Sequence, residues 1–200
     1  MTRADLLDAV RDYLNRPSTT DATLGLWIAA VEGELNRILR EHPRSQRRTM
    51  YTQDAHNPLL PLPTDLMQLI RLWVPSGPLA GAWRQYAPGF DDDALTCPFQ
   101  RAWVARGMCV ELHPVPSEDT TFALDYIAAL EPLVQATDSN WVSRFFGDVY
   151  VYGCLREAAV YLKDDARLAG WTAEFQRRAA EVAAQGWGQN IATAPRVARG

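Results

Sequence analysis

Lysine is almost missing from this chain. Lys163 is the only one among the 20 basic residues, so arginine carries nearly all the positive charge. Histidine is scarce too, with 3 in 200 residues, which leaves few groups able to exchange a proton near neutral pH. The three cysteines, Cys97, Cys109 and Cys154, lack the paired spacing of a disulfide framework, and reduced thiols in a cytosolic setting are expected. No apolar run reaches the roughly eighteen residues of a membrane span, and the first residues show no signal-peptide pattern. The chain is therefore expected to be neither membrane-spanning nor secreted. A net charge of −4 supplies no overall basic field for nucleic acid.

Catalytic motifs are equally thin. There is no G-x-S-x-G elbow, no Walker loop and no G-x-G-x-x-G. Cys109 and His113 stand four apart, but on a strand that spacing separates them by about 13 Å, too far to share one zinc. The carboxylate run Asp91, Asp92 and Asp93 is consecutive, whereas a magnesium site draws its carboxylates from separate elements. Asp164 and Asp165 fit a helix start instead. No catalytic, cofactor or metal residue is assigned, and no cofactor is expected.

Amphipathic helices are what the sequence has in quantity. The stretch from Asp138 to Ala184 reads as two of them, over about 139–163 and 165–185. The first carries Trp141, Phe145, Val149, Tyr152, Leu155, Ala159 and Leu162 in steps of three and four, with Asp138 or Ser139 as N-cap. The second carries Leu168, Trp171, Phe175, Ala179 and Val182, with Gly186 as terminator. Two more helices open the chain. The first covers about 2–16, with Thr2 and Asp5 as a capping box, a stripe of Leu6, Leu7, Val10 and Leu14, and Pro17 as its stop. The second covers about 20–42, with Leu24, Trp27, Ile28, Val31, Leu35, Ile38 and Leu39 as its stripe. Four such stripes are buried most economically in a four-helix bundle built from both chain ends.

A β subdomain over about 46–130 is expected as an insertion into that bundle, giving an α+β fold. Arg47 to Thr52 and Leu69 to Val74 have strand composition, Gly107-Met108 reads as a hairpin turn, and Phe122, Leu124 and Tyr126 alternate along a strand. The proline-rich stretch His56 to Pro63 cannot be a central strand. Thr64 and Asp65 could start a short helical turn, and residues 75–98 read as an irregular excursion. The sheet is expected to be small and antiparallel. Residues 1–185 thus make a single domain, and residues 186–200 have few apolar anchors and read either as disordered or as an extended arm that orders on a partner.

Arg37, Arg40, Arg44, Arg47 and Arg48 crowd the end of the second helix. The helix dipole accounts for such a cluster, and the absence of interleaved exposed aromatics argues against a DNA groove. A protein rim is the better alternative. Tyr150 and Tyr161, off the main stripe of the third helix, and Arg177 and Arg178 on the fourth are candidates for contact with a neighbouring subunit.

The order of pieces resembles a known family. A short and then a long helix lead into Leu62-Pro63-Thr64-Asp65. A small sheet follows with His113-Pro114-Val115-Pro116, Phe122 to Ala128 and Leu130-Glu131-Pro132-Leu133. Then come Asp138-Ser139-Asn140-Trp141, a tyrosine-rich helix, Tyr161-Leu162-Lys163-Asp164-Asp165 and a last helix. This resembles the head-to-tail adaptor (connector) proteins of tailed bacteriophages and gene-transfer agents, over about residues 2–185. The resemblance implies a non-enzymatic virion protein at the head–tail junction, made in the bacterial host cytoplasm. It implies a homo-oligomeric ring, twelvefold like the portal above it, that extends the DNA channel without sequence-specific binding and meets a downstream tail or stopper protein. It also implies portal docking through the C-terminal arm, with Trp187, Asn190, Ile191, Pro195, Arg196 and Val197 as contact candidates. The alternatives are a tail-completion or tail-tube protein that never meets the portal, a small metal-dependent hydrolase, and a nucleic-acid-binding module.

Overall fold

Thr2 starts the first helix by taking the Asp5 amide on its hydroxyl, while the Asp5 carboxylate takes the Thr2 amide at 2.8 Å. This computed structural model describes residues 1–77, 79–85 and 101–188. The chain divides into two compact units, Met1–Ser45 with everything from Leu130 onward, and Gln46–Ala129. The fold is mixed α+β, with five α-helices and seven strands among the described residues.

In the helical unit, α1 (Arg3–Leu14) ends because Asn15 turns left-handed and caps the carbonyls of Arg11 and Asp12. Helix α1 therefore stops short of Pro17, at a residue type that tolerates that conformation. Helix α2 (Asp21–Ile38) is capped by Thr20 and ends four residues before the expected His42. One 3-10 turn, Pro43–Ser45, follows.

The single helix expected over 139–163 is two helices, α3 (Trp141–Phe145) and α4 (Gly147–Leu162), separated by Phe146 at φ −139°. Asn140, rather than Asp138 or Ser139, is the N-cap of α3, in a reciprocal box with Ser143. The break resets the register, so Phe145 is 65% exposed instead of joining the buried stripe. Gly147 fits where the chain resumes because Met1 occupies the space beside it, 3.1 Å from any added Cβ. Lys163 turns left-handed at the end of α4, and Asp164 accepts the Arg167 amide at the start of α5 (Asp165–Gly188).

Helix α4 is the centre of this unit, with α1, α2, α3 and α5 all packed against it. Gly153 makes the closest approach possible. A Cβ there would lie 2.7 Å from one Val31 methyl and 3.1 Å from the Phe175 ring. The buried core runs from Leu6, Val10 and Leu14 through Leu24, Ile28, Val31 and Leu35 to Leu155, Phe175 and Val182.

The second unit is a seven-stranded sheet of β1 (Gln46–Gln53), β2 (Leu59–Pro61), β3 (Leu66–Val74), β4 (Gly81–Gln85), β5 (Ala102–Arg106), β6 (Cys109–His113) and β7 (Thr120–Ala128). The spatial order is β1-β7-β3-β4-β5-β6-β2. The sheet is not wholly antiparallel, because β4 pairs with β5 in parallel. Strand β4 also gives regular structure to part of the stretch expected to be irregular; residue 78 and residues 86–98 of that stretch lie outside the described residues. Thr64 and Asp65 form a turn into β3 rather than a helical start. Strand β2, with Pro61, sits at the sheet edge, where a missing N–H costs no ladder bond. The core joins Leu60, Leu72, Trp83, Trp103, Leu112, Phe122 and Leu124, so strands from both ends of the order bury into one cluster and the sheet must curl.

Candidate interaction surfaces

A buried polar network holds the segment that returns the chain from sheet to helices. Glu32, on the buried face of α2, accepts the Leu133 amide at 2.9 Å, and the Tyr150 hydroxyl lies 3.5 Å from the same oxygen. Asn140 donates to the Tyr150 hydroxyl at 2.7 Å and to the Glu131 carbonyl at 2.9 Å. Asn36 takes the Leu130 amide, and Asp138 takes the amides of Val134 and Gln135. The Arg3 and Ala4 amides at the start of α1 reach the carbonyls of Asp138 and Ala136. Helices α1, α2 and α4 and the cap of α3 therefore spend side-chain or terminal backbone groups on the strap over residues 130–140. Burial raises the Glu32 carboxyl above its ordinary range, against the opposing pull of the Leu133 and Tyr150 hydrogen bonds. Burial likewise pushes the Tyr150 phenol up, with the Glu32 charge adding to it.

Tyr150 was expected to face a neighbouring subunit, but it has 0% exposure. A side chain with no exposed surface offers no contact area, so Tyr150 leaves the set of candidate contacts. The three others lie at the surface to different degrees. Tyr161 is 66% exposed and touches Trp27 edge-on, with ring centroids 5.8 Å apart. Arg177 is exposed and pairs along α5 with Glu174 and Glu181. Arg178 is largely covered. It pairs with Asp148 of α4 at 2.8 Å and with Glu174, and its guanidinium lies 3.9 Å from the Tyr152 ring centre. Arg178 therefore fastens α5 to α4 within the subunit.

The arginine cluster separates into two groups. Arg47 pairs with Asp65 at 3.2 Å, and Arg48 makes a two-pronged contact with Asp125, both inside the sheet unit. Hydrogen bonding from Arg48 holds the Asp125 carboxyl below its usual range. Arg37, Arg40 and Arg44 belong to the helical unit. There His42 stacks on Trp141, with centroids 4.7 Å apart and planes 18° apart. The Arg44 guanidinium sits over both Trp141 and Phe145, at 5.6 and 4.8 Å. A pocket of about 270 Å³ lies beside this stack, lined by Arg37, Ile38, Arg40, Glu41, His42 and Ala183. An exposed aromatic next to arginines is thus present, contrary to the sequence reading, because Phe145 turns outward at the helix break.

Other predicted sites resolve simply. Helix α5 continues past the expected stop at Gly186 to Gly188, so the arm begins no earlier than residue 189. Trp187 is in that last helical turn, while Asn190, Ile191, Pro195, Arg196 and Val197 lie outside the described residues, as do Cys97 and Asp91 to Asp93. Burial pushes the Cys154 thiol well up, which suppresses its thiolate. Among the described residues no group of three or more His, Cys, Asp or Glu side chains could hold a metal ion. No described helix is long and apolar enough to cross a membrane.

Sequence reasoning missed Glu32, Asn140 and His42 as structural determinants. Glu32 did carry a signal, since it interrupts the apolar stripe one turn after Ile28 and one turn before Leu35. An acid in that position must find buried partners. His42 carried none, because its partner Trp141 is remote in sequence. A family model described as SU10 adaptor protein matches residues 1–199 of the chain. No curated protein matches it.

Proposed function

The chain belongs to the SU10 adaptor protein family, a phage head-to-tail adaptor family, and from that premise we propose its place and manner of assembly in the particle. It is a phage structural protein of the adaptor class. In the reading favoured here, copies form a ring beneath the portal, twelve to match the portal's symmetry. The ring lines the DNA channel at the head–tail junction and presents its other end to a tail or stopper protein. The four longer helices act as a bundle whose outer faces meet neighbouring copies, with Tyr161 and Arg177 among the contacts. The end of α5, through Trp187, and the C-terminal arm beyond it, through Asn190, Ile191, Pro195, Arg196 and Val197, clasp the portal.

The observation that carries this reading is the span of the family match, which takes in both units and the arm rather than one of them. The tail suits the role as well. Residues 189–200 contain Ile191 and Val197 as their only large aliphatic side chains, so they gain little by folding back alone and can order on a partner. The net charge of −4 suits a channel wall that must let DNA pass.

The deciding experiment mixes the purified chain with the portal of the same particle and images the product by negative stain. A ring seated on the portal's narrow end is expected, and it should be lost when residues 189–200 are removed. Binding to tail protein but not to portal would overturn the reading in favour of a tail-completion protein.

A further inference from the structure

We infer that the pocket between the end of α2 and α5 is a receptor for a carboxylate side chain on an acidic segment of a partner protein, with Phe145 beside it to cover an apolar neighbour of that carboxylate. His42 is the pocket's most constrained polar side chain. This ring is only 7% exposed, yet it lines the pocket. Its Nδ1 accepts the Arg44 amide at 3.1 Å, so in the neutral ring the proton is on Nε2. Stacking on Trp141 fixes the plane in which that N–H points. No described group accepts it. A buried ring held at one nitrogen and one face, with its only N–H unused at a cavity wall, is a preorganised hydrogen-bond donor.

Charge selects the ligand. Among the described residues the lining carries Arg37 and Arg40 and one carboxylate, Glu41. Among the described residues Arg37 makes no ion pair or hydrogen bond, and Arg44, joined to His42 through its amide, holds its guanidinium over the Trp141 and Phe145 rings. The dipole of α2 accounts for a cation at its last turn, but it does not account for a buried imidazole donor on the same cavity. The Arg37 fork and an imidazole N–H together match the two oxygens of a carboxylate.

Size and field argue for protein rather than DNA. A space of about 270 Å³ admits one side chain from a chain lying over its mouth. A duplex instead presents phosphates on a convex surface and is met by rows of cations, and this chain is net negative. Phe145, 65% exposed and lying against Arg44, supplies the aromatic surface that protein interfaces favour. The inference takes only the protein nature of the partner from the adaptor reading. It is tested on the isolated chain with a peptide, so its failure and the failure of portal binding are separate results.

The test titrates the full-length, nitrogen-15-labelled chain with a synthetic peptide of one phenylalanine followed by three aspartates, and in parallel with its asparagine counterpart and a short DNA duplex. Saturable shifts at the His42 ring and the Arg37 side chain are expected with the aspartate peptide, at least tenfold tighter than with the asparagine peptide. R37Q, a surface change that leaves the fold intact, should weaken the aspartate peptide at least fivefold, and F145A should weaken it with no change in melting temperature. Equal binding of the two peptides, no effect of R37Q, or a duplex that occupies the same residues more tightly than the peptide would overturn the inference.

Discussion

The Asn140 amide donates to the Tyr150 hydroxyl at 2.7 Å, joining the residue that caps α3 to a side chain in the first turn of the central helix α4. The same amide holds the Glu131 carbonyl, so one side chain fixes both ends of the strap over residues 130–140. Tyr150→Phe should therefore cost about 1–2 kcal/mol, since it strands one buried amide hydrogen while keeping the ring packing. Urea unfolding of the two proteins would measure it as a lower midpoint at unchanged slope. Assembly into the proposed ring at temperatures well below melting should be unaffected.

Glu32 makes stability depend on pH in a definite direction. Its folded carboxyl titrates above the ordinary value of 4.5 because burial disfavours the charge. Well below 4.5 the group is protonated in both states and contributes nothing. As pH rises past that value the unfolded chain ionises first, so the folded state loses stability until the folded group has ionised too. Glu32→Gln keeps an acceptor for the Leu133 amide and does not titrate. The stability difference between variant and wild type should thus move in the variant's favour from pH 4 to pH 8. Glu32→Ala leaves the Leu133 amide without its acceptor and should lose about 1–3 kcal/mol at any pH in that range. His42 shifts the other way, below its ordinary 6.5 through burial, and its contribution cancels in the comparison because both proteins carry it.

Arg177 and Arg178 are adjacent in sequence and should behave differently. Arg178→Ala removes a guanidinium that bridges α5 to Asp148 and covers the Tyr152 ring, and a loss of about 1–2 kcal/mol is expected. Arg177→Ala removes only pairs within α5, each of the kind that contributes about 0.3–0.5 kcal/mol. If Arg177 serves a neighbouring subunit, its loss should reduce ring formation in sedimentation experiments while thermal unfolding of the single subunit scarcely changes.

Local signals were readable from the sequence, and long-range ones were not. The Thr2–Asp5 capping box is an interaction between near neighbours and forms as expected. So does the β5–β6 hairpin, where Gly107 adopts the positive φ of 64° that its turn requires. The alternation of Phe122, Leu124 and Tyr126 located β7, but Ala123 and Ile127 on its opposite face are buried too. Strand β7 lies between β1 and β3, and Ala123 sits in register with Met50 and Trp73, a coverage that only the pairing creates. The break at Phe146 has no proline to announce it. Of the candidate contacts, Tyr150 was misplaced for a related reason. Its position off one apolar stripe does not expose it, because α4 is covered by helices on several sides.

The glycines of the helical unit give a prediction whose sign differs from site to site. Gly153 lies where α2 and α5 close on α4, and a methyl group there would meet Val31 at 2.7 and 2.8 Å and Phe175 at 3.1 Å. Those neighbours are themselves buried, with Val31 and Phe175 both at 0% exposure, so neither can yield without opening the core. Gly153→Ala should therefore lose about 1–3 kcal/mol through overpacking, even though alanine is the better helix former. Gly33 in α2 and Gly170 in α5 have nothing within 4 Å of an added Cβ and have no positive φ. At each of them alanine should gain up to about 1 kcal/mol from helix propensity alone. Calorimetric melting of the three variants checks this directly. A Gly153→Ala protein as stable as wild type would mean that the α2–α4–α5 contact is looser than the packing around Val31 requires.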